Sequence, residues 1–248
     1  MLSFFAAYGG LFFKETLIMI TVGTSEIIIG TIATVLAYGF TASIVGWFRA
    51  WVALQMGDDT PERDGYLTFN PFVHTDIIGF FCFIFLQFGW FKSIVIDKSA
   101  IRGKHAKLKQ ILAYYSDTIT HIIFSFLGII ALVVFFGESA RCALKYALSL
   151  RDFSCYYYLA QNAPNVSSLV LSFSFILFAF TRLNILLSGL TFAFNTLRYA
   201  FFSNRESIMS YNPLYYMLFS FLFFIFVVRP VGGLVLYSGL LLSKCFIG

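Results

Sequence analysis

The sequence predicts an all-α protein, a polytopic bundle of transmembrane helices, on three observations. Of its 248 residues 59% are hydrophobic and only 12% are charged, against about 25% charged in soluble domains. Mean hydropathy is +0.83, so the chain cannot cover a water-facing surface with polar groups. The apolar residues form runs near the roughly 20 residues that span a hydrocarbon core, and none alternates as a transmembrane barrel strand must. Lipid offers no hydrogen bonds to the backbone, so such runs must be helical.

Each element follows in order. Residues 1–24 are apolar apart from Lys14 and Glu15 and carry no basic leader or A-x-A site, which predicts an interfacial helix or extra span rather than a removable signal peptide. A membrane core covers 25–200 and a C-terminal membrane helix 201–248. Within the core a long apolar segment runs from Ser25 to Met56. A hinge from Gly57 to Asp76 follows, dense in Asp, Pro and Gly, the residues that end helices. Its Tyr66-Leu67-Thr68-Phe69 alternates and predicts a short strand. Ile77 to Trp90 is short for a span and predicts a re-entrant or thin crossing. Further segments cover Ile111–Phe136, Val166–Leu197 and Leu214–Leu242, the last broken by Arg229-Pro230. A polar connector covers Gly137–Asn165. In all, five to six membrane segments are expected.

Net charge is +5, and the basic residues cluster. Lys92, Lys98, Arg102, Lys104, Lys107 and Lys109 stand against Asp97 alone, so the loop 92–109 is expected on the cytoplasmic side. This charge pattern implies a bilayer, not a nucleic acid. The cysteines Cys82, Cys142, Cys155 and Cys245 are scattered and read as small apolar side chains.

The hinge is more specific. It reads Gly57-Asp58-Asp59-Thr60-Pro61-Glu62-Arg63-Asp64-Gly65, then Leu67-Thr68-Phe69-Asn70-Pro71-Phe72-Val73-His74-Thr75-Asp76-Ile77-Ile78-Gly79, with Phe88-Gly89-Trp90-Phe91-Lys92 further on. This order and spacing resemble the site-2 protease family of intramembrane zinc metalloproteases in its short bacterial form. The resemblance implies that Gly57, Asp58, Gly65, Asn70, Pro71, His74, Asp76, Gly89, Trp90 and Lys92 build the same local structure as in that family. It also implies the inner membrane of a bacterium.

That family binds zinc through H-E-x-x-H, two histidines on one helix face with a glutamate as general base. The register set by Ala50-Trp51-Val52 places Val45, Gly46 and Arg49 on the first histidine, the glutamate and the second histidine. Phe192 takes the place of the third ligand, an aspartate. Valine offers no lone pair, and arginine is a permanent cation. On these positions the chain is expected to be no enzyme and to hold no zinc or other cofactor, while its place in a bilayer allows bound lipids. The function expected is that of a structural or regulatory subunit binding transmembrane segments of other membrane proteins in a hetero-oligomeric complex. Two alternatives stand beside it: a transporter or channel component with a polar path through Glu26, Asp117 and His121, and a metalloprotease with a relocated metal site.

The remaining intramembrane polar residues are Glu26, Asp117, His121 and Arg182. Asp117 and His121 are four apart and share a helix face, which suggests a hydrogen-bonded pair, a proton relay or two metal ligands. Glu26 and Arg182 either pair or snorkel to the interface. Arg49 is expected to bridge to Asp58, Asp59 or Asp117, or to bind an anion.

Overall fold

A computed structural model describes residues 24–86, 89–145, 168–201, 237–238 and 241–242. The expectations for the N-terminal segment 1–23, the Arg229-Pro230 break and most of the connector lie outside the described residues.

The described residues are helical, with no strand among them. Helix α1 covers Thr24–Met56, and two short helices follow in the hinge, α2 (Thr60–Arg63) and α3 (Pro71–His74). Then come α4 (Ile77–Leu86), α5 (Ala106–Lys145) and α6 (Ser168–Phe201). Three stretches are long and apolar enough to cross a membrane: Gly30–Met56, Ala106–Gly137 and Ser172–Thr196. The chain is therefore an all-α integral membrane protein. Helix α4, at 10 residues, is too short to be one of them.

The three long helices pack on one another, α5 on α6 most extensively, with α1 against both. Ser172–Thr196 is the innermost stretch, and every residue from Thr181 to Leu190 is buried. One core layer joins Ala33 and Ala37 of α1 to Ile129, Leu132 and Val133 of α5 and to Phe175, Phe178 and Ala179 of α6. The small alanines let α1 approach closely, the usual device where lipid provides no hydrophobic drive for helix association. Gly128 serves α5 likewise, since an added Cβ would run into Thr181 of α6. Outward positions stay apolar for lipid: Ile28, Ile32, Leu36 and Phe40 recur at helical spacing on α1. Buried hydroxyls bond back one turn, as Thr120 to the Ser116 carbonyl and Ser125 to the His121 carbonyl, both at 2.7 Å.

The polar hinge folds back under α1. Asp58 is wholly buried and accepts from the Thr60 amide at 3.0 Å and the Asp97 amide at 2.8 Å, tying the hinge to the basic loop. Asn70 caps α3 by accepting from the Phe72 amide at 3.1 Å, with Pro71 in the first turn, where its missing N–H costs nothing. Gly57 and Gly65 take positive φ, +106° and +79°, which side-chain-bearing residues rarely adopt. Asp58→Ala leaves two half-buried amides, of Thr60 and Asp97, without this partner, a cost of about 1–3 kcal/mol. Asn70→Ala removes a cap, about 1 kcal/mol. Both variants should melt lower in mild detergent, Asp58→Ala more so; unchanged melting for both would refute these roles.

Two expectations are corrected here. Tyr66–Phe69 forms no strand: no neighbouring segment pairs with it, and Thr68 instead accepts from Asn70 through its hydroxyl and from His74 through its carbonyl. The nearest approach to sheet is an isolated antiparallel bridge between Thr75 and Phe91. The expected segment Ile111–Phe136 agrees with the membrane-crossing stretch Ala106–Gly137: the backbone is non-helical at Gly137 (φ 56°), and the helical turns beyond it, to Lys145, follow this kink and belong to the connector. Arg182 does not snorkel: it is buried midway along α6. Glu26 lies in the first turn of α1, and its side chain is outside the described residues.

Candidate functional site

The register that puts Arg49 on a zinc-ligand position also puts it on the inward face of α1, where it is buried. Its guanidinium meets the Asp117 carboxylate of α5 in an ion pair. Asn195 of α6 completes the cluster. Its amide donates to Asp117 Oδ1 at 2.7 Å, and its carbonyl accepts from Arg49 Nη1 at 3.2 Å. Asp117 also takes the Thr118 amide at 2.7 Å. All three long helices thus contribute to one dry ionic cluster. Of the three carboxylates expected for Arg49, Asp117 is the partner. Asp58 is committed to hinge amides, and Asp59 pairs with Arg63 at the surface.

His121 lies one turn along α5 from Asp117 but does not bond it. Its Nδ1 donates to Asn184 Oδ1 at 2.7 Å. The Asn184 amide is oriented by donating to the Phe180 carbonyl at 2.8 Å and to Thr41 at 3.4 Å. The expected Asp117–His121 pair is therefore replaced by Asp117–Asn195 and His121–Asn184, both to α6. A proton relay through Asp117 and His121 has no direct bond to follow.

His74 enters from the hinge. Its Nε2 donates to the Thr68 carbonyl at 2.8 Å, and its ring lies against Gly46 so closely that a Cβ there would overlap it. Gly46 is therefore required by packing: its missing side chain admits the hinge histidine. Burial pushes the His74 imidazole below the ordinary histidine range; the Thr68 carbonyl opposes this, and the nearby Lys92 reinforces it. The imidazole is thus held uncharged at neutral pH.

A motif segment closes the other side. Gly79 and Gly89 approach so tightly that a Cβ on Gly79 would meet the Trp90 carbonyl and one on Gly89 the Gly79 carbonyl. The Tyr38 hydroxyl donates to that Trp90 carbonyl at 2.9 Å, fastening the segment to α1. The Lys92 amide donates to the His74 carbonyl at 2.8 Å, and the Gly79 amide to Asp76 at 2.8 Å. Gly57, Gly65 and Pro71 shape the turns of the hinge and are not among the residues that border the cavity between these parts.

Between these parts lies a cavity of about 60 Å3, bordered by Val45, Gly46, Arg49, His74, Asp117, His121 and Asn195 among others. Phe192 is not among its walls; it is half-exposed and packs beside Tyr115. Sequence reasoning missed Asn184 and Asn195. Their signal is the polar stripe Asn184, Ser188, Thr191, Asn195, whose steps of four, three and four mark one helical face in an apolar run.

The chain is similar to the Bacillus subtilis protein named Putative zinc metalloprotease YwhC, at 28% identity over 105 residues, 42% of this chain and 47% of that protein. The match thus spans about half the length of that relative. No family model and no solved structure matches. The similarity supports a site-2-protease-like relationship. It also overturns the expectation that the chain is no enzyme: that expectation rested on substituted ligand positions alone, and the named relative points toward a protease. As to zinc, no group of three His, Cys, Asp or Glu side chains among the described residues is placed to hold a metal ion. Of the donors that border the cavity, Asp117 is tied to Arg49 and Asn195, and the imidazoles of His74 and His121 alone do not make a three-ligand set. The residues described do not fit a zinc ion.

Proposed function

We propose that this chain is a site-2-protease-like membrane protein whose cleft receives a transmembrane segment of another membrane protein, within a larger membrane complex. The observation that carries this reading is a mostly apolar cavity that nevertheless borders Arg49, Asp117, His121 and Asn195, among three apolar helices and beside the hinge motif. Buried ionisable groups in a membrane are costly and are found where a site needs them. The hinge borders it through His74, the following motif segment through Trp90 and Lys92, and α6 through Leu187, Leu190 and Phe194. The polar-path reading is weaker, because the Asp117 carboxylate is held by Arg49, Asn195 and Thr118. In this proposal the loop 92–109 faces the cytoplasm, and the membrane is the bacterial inner membrane.

Photo-crosslinking in native membranes tests it. A benzoylphenylalanine replacing Phe194, which borders the cavity, should give adducts that map to membrane-spanning peptides of a reproducible partner. The same group at Leu127, 57% exposed on the outer face of α5, should not. Equal adduct patterns from the two positions, or no protein adduct from position 194, would remove the proposal.

A further inference from the structure

The lipid-facing surface of α5 begins among cations. Leu108, Leu112, Ile119, Ile123, Leu127 and Val134 are each at least 39% exposed and follow one another in steps of four and seven. Such steps mark one helical face. At 1.5 Å per residue the stripe is about 39 Å long, enough to cross the roughly 30 Å of hydrocarbon from one boundary to the other. Leu108, its first residue, is 57% exposed and stands between Lys107 and Lys109. Arg102 and Lys104 come just ahead of the helix. Acyl chains that cover Leu108 therefore bring lipid headgroups within reach of these cations, whose long side chains extend to the interface.

The protein itself gives them no counter-charge. Arg102, Lys104 and Lys107 are exposed, and none forms an ion pair with a carboxylate among the described residues. Asp97, the one acid of the loop, accepts from the amide and the hydroxyl of Ser99 at 2.8 and 2.7 Å. The exposed acids Glu62 and Asp64 belong to the hinge, on and beside α2, and pair with none of the three. Nor do the cations serve the helix. They stand at its N-terminal end, where the helix dipole disfavours positive charge, and its first turn holds no acid.

The loop that carries them is fastened to all three long helices. The Asp97 amide donates to Asp58, at the end of α1, at 2.8 Å. Lys98 donates to the Tyr199 carbonyl of α6 at 2.7 Å, and Gln110 of α5 donates to the Lys98 carbonyl at 3.0 Å. The cations are thus presented at a fixed level of the bundle.

We propose that Arg102, Lys104 and Lys107 form a docking surface for the headgroups of anionic phospholipids, at the membrane boundary that Leu108 marks. Ammonium and guanidinium groups donate charge-assisted hydrogen bonds to phosphate oxygens. A zwitterionic headgroup offers the phosphate without net charge, so the surface selects the anionic lipid. Asp117 lies about 14 Å further along α5, and none of the three cations borders the cavity, so this surface is separate from the cleft.

The test uses the full chain in vesicles of equal parts phosphatidylcholine and phosphatidylglycerol. Both leaflets then have one composition, and the orientation of the chain does not matter. A benzoylphenylalanine replaces Leu108 or, about 29 Å away on the same stripe, Leu127. Mass spectrometry of the adducts gives the ratio of phosphatidylglycerol to phosphatidylcholine captured at each position. The ratio at 108 should exceed that at 127 about fivefold, the effect of one cation near an anionic surface. It should fall to the value at 127 in about 1 M salt, and likewise in the double variant Lys104→Gln, Lys107→Gln. Arg63→Gln, which removes an exposed cation of the hinge, should leave it unchanged. Equal ratios at the two positions, or a ratio at 108 that survives the double variant, overturns the proposal. So does the absence of lipid adducts at 108 when 127 gives them. Should the double variant fail to fold, the two positions and the salt series decide alone.

Discussion

Asp117→Ala is expected to be the most damaging single substitution in the described part of the chain. It removes the carboxylate that faces the buried guanidinium of Arg49 and takes one of the two acceptors of the Asn195 amide, which donates to Asp117 at 2.7 Å and to the Thr118 hydroxyl at 3.0 Å. An unpaired charge in a dry interior costs about 3–5 kcal/mol. The cluster joins α1, α5 and α6, so the loss falls on the packing of all three spans rather than on one helix. Asp117→Asn is the informative companion. It keeps the shape but turns one acceptor oxygen into an N–H donor facing other donors and leaves the guanidinium uncompensated, so it should destabilise by more than half as much. The measurement is thermal unfolding in mild detergent, with membrane abundance alongside. Melting of Asp117→Ala within a degree of the unaltered protein would mean that Arg49 finds another partner or reaches water.

Gly79→Ala is expected to be second. The added methyl would meet the Trp90 carbonyl, a backbone atom that cannot swing aside as a flexible side-chain end does. Relief requires moving the Gly89-Trp90 segment, which the Tyr38 hydroxyl holds at the Trp90 carbonyl and the Thr75–Phe91 bridge holds at the hinge. Overpacking of this kind costs about 1–3 kcal/mol. Gly79→Ala should thus unfold earlier, and limited proteolysis should cut the segment around Lys92 before the long helices. By contrast, Gly103→Ala meets no atom within 4 Å, and its cost comes only from its positive φ. Proteolysis of Gly79→Ala no faster than that of Gly103→Ala would contradict the close packing.

The three long helices were legible because hydropathy states their presence directly. The predicted segments Ser25–Met56 and Val166–Leu197 lie close to Thr24–Met56 and Ser168–Phe201. Arg49 was recognisable as a residue needing a carboxylate, and Asp117 was among the three offered. The Asn70 cap follows from Asn-Pro ahead of a turn. What stayed hidden depends on tertiary approach. His121 was assigned to Asp117 because they share a face of α5, but α6 lies alongside and supplies an asparagine to each. The alternation of Tyr66–Phe69 is a strand signal only if a partner strand exists, and the hinge supplies none. Gly46 reads in sequence as a missing glutamate; in the fold it is the space occupied by the His74 ring. No local pattern links positions 46 and 74.

The most direct measurement of the central claim, that α1, α5 and α6 close around an ion pair, is a double-mutant cycle on Arg49 and Asp117. Unfolding free energies are measured for Arg49→Met, Asp117→Leu and the double variant in one detergent. Each single change leaves a partner stranded, so each should cost about 3 kcal/mol, while the double should be more stable than either, which requires a coupling above about 3 kcal/mol. Additive losses, with the double variant as unstable as the sum of the singles, would contradict the pairing.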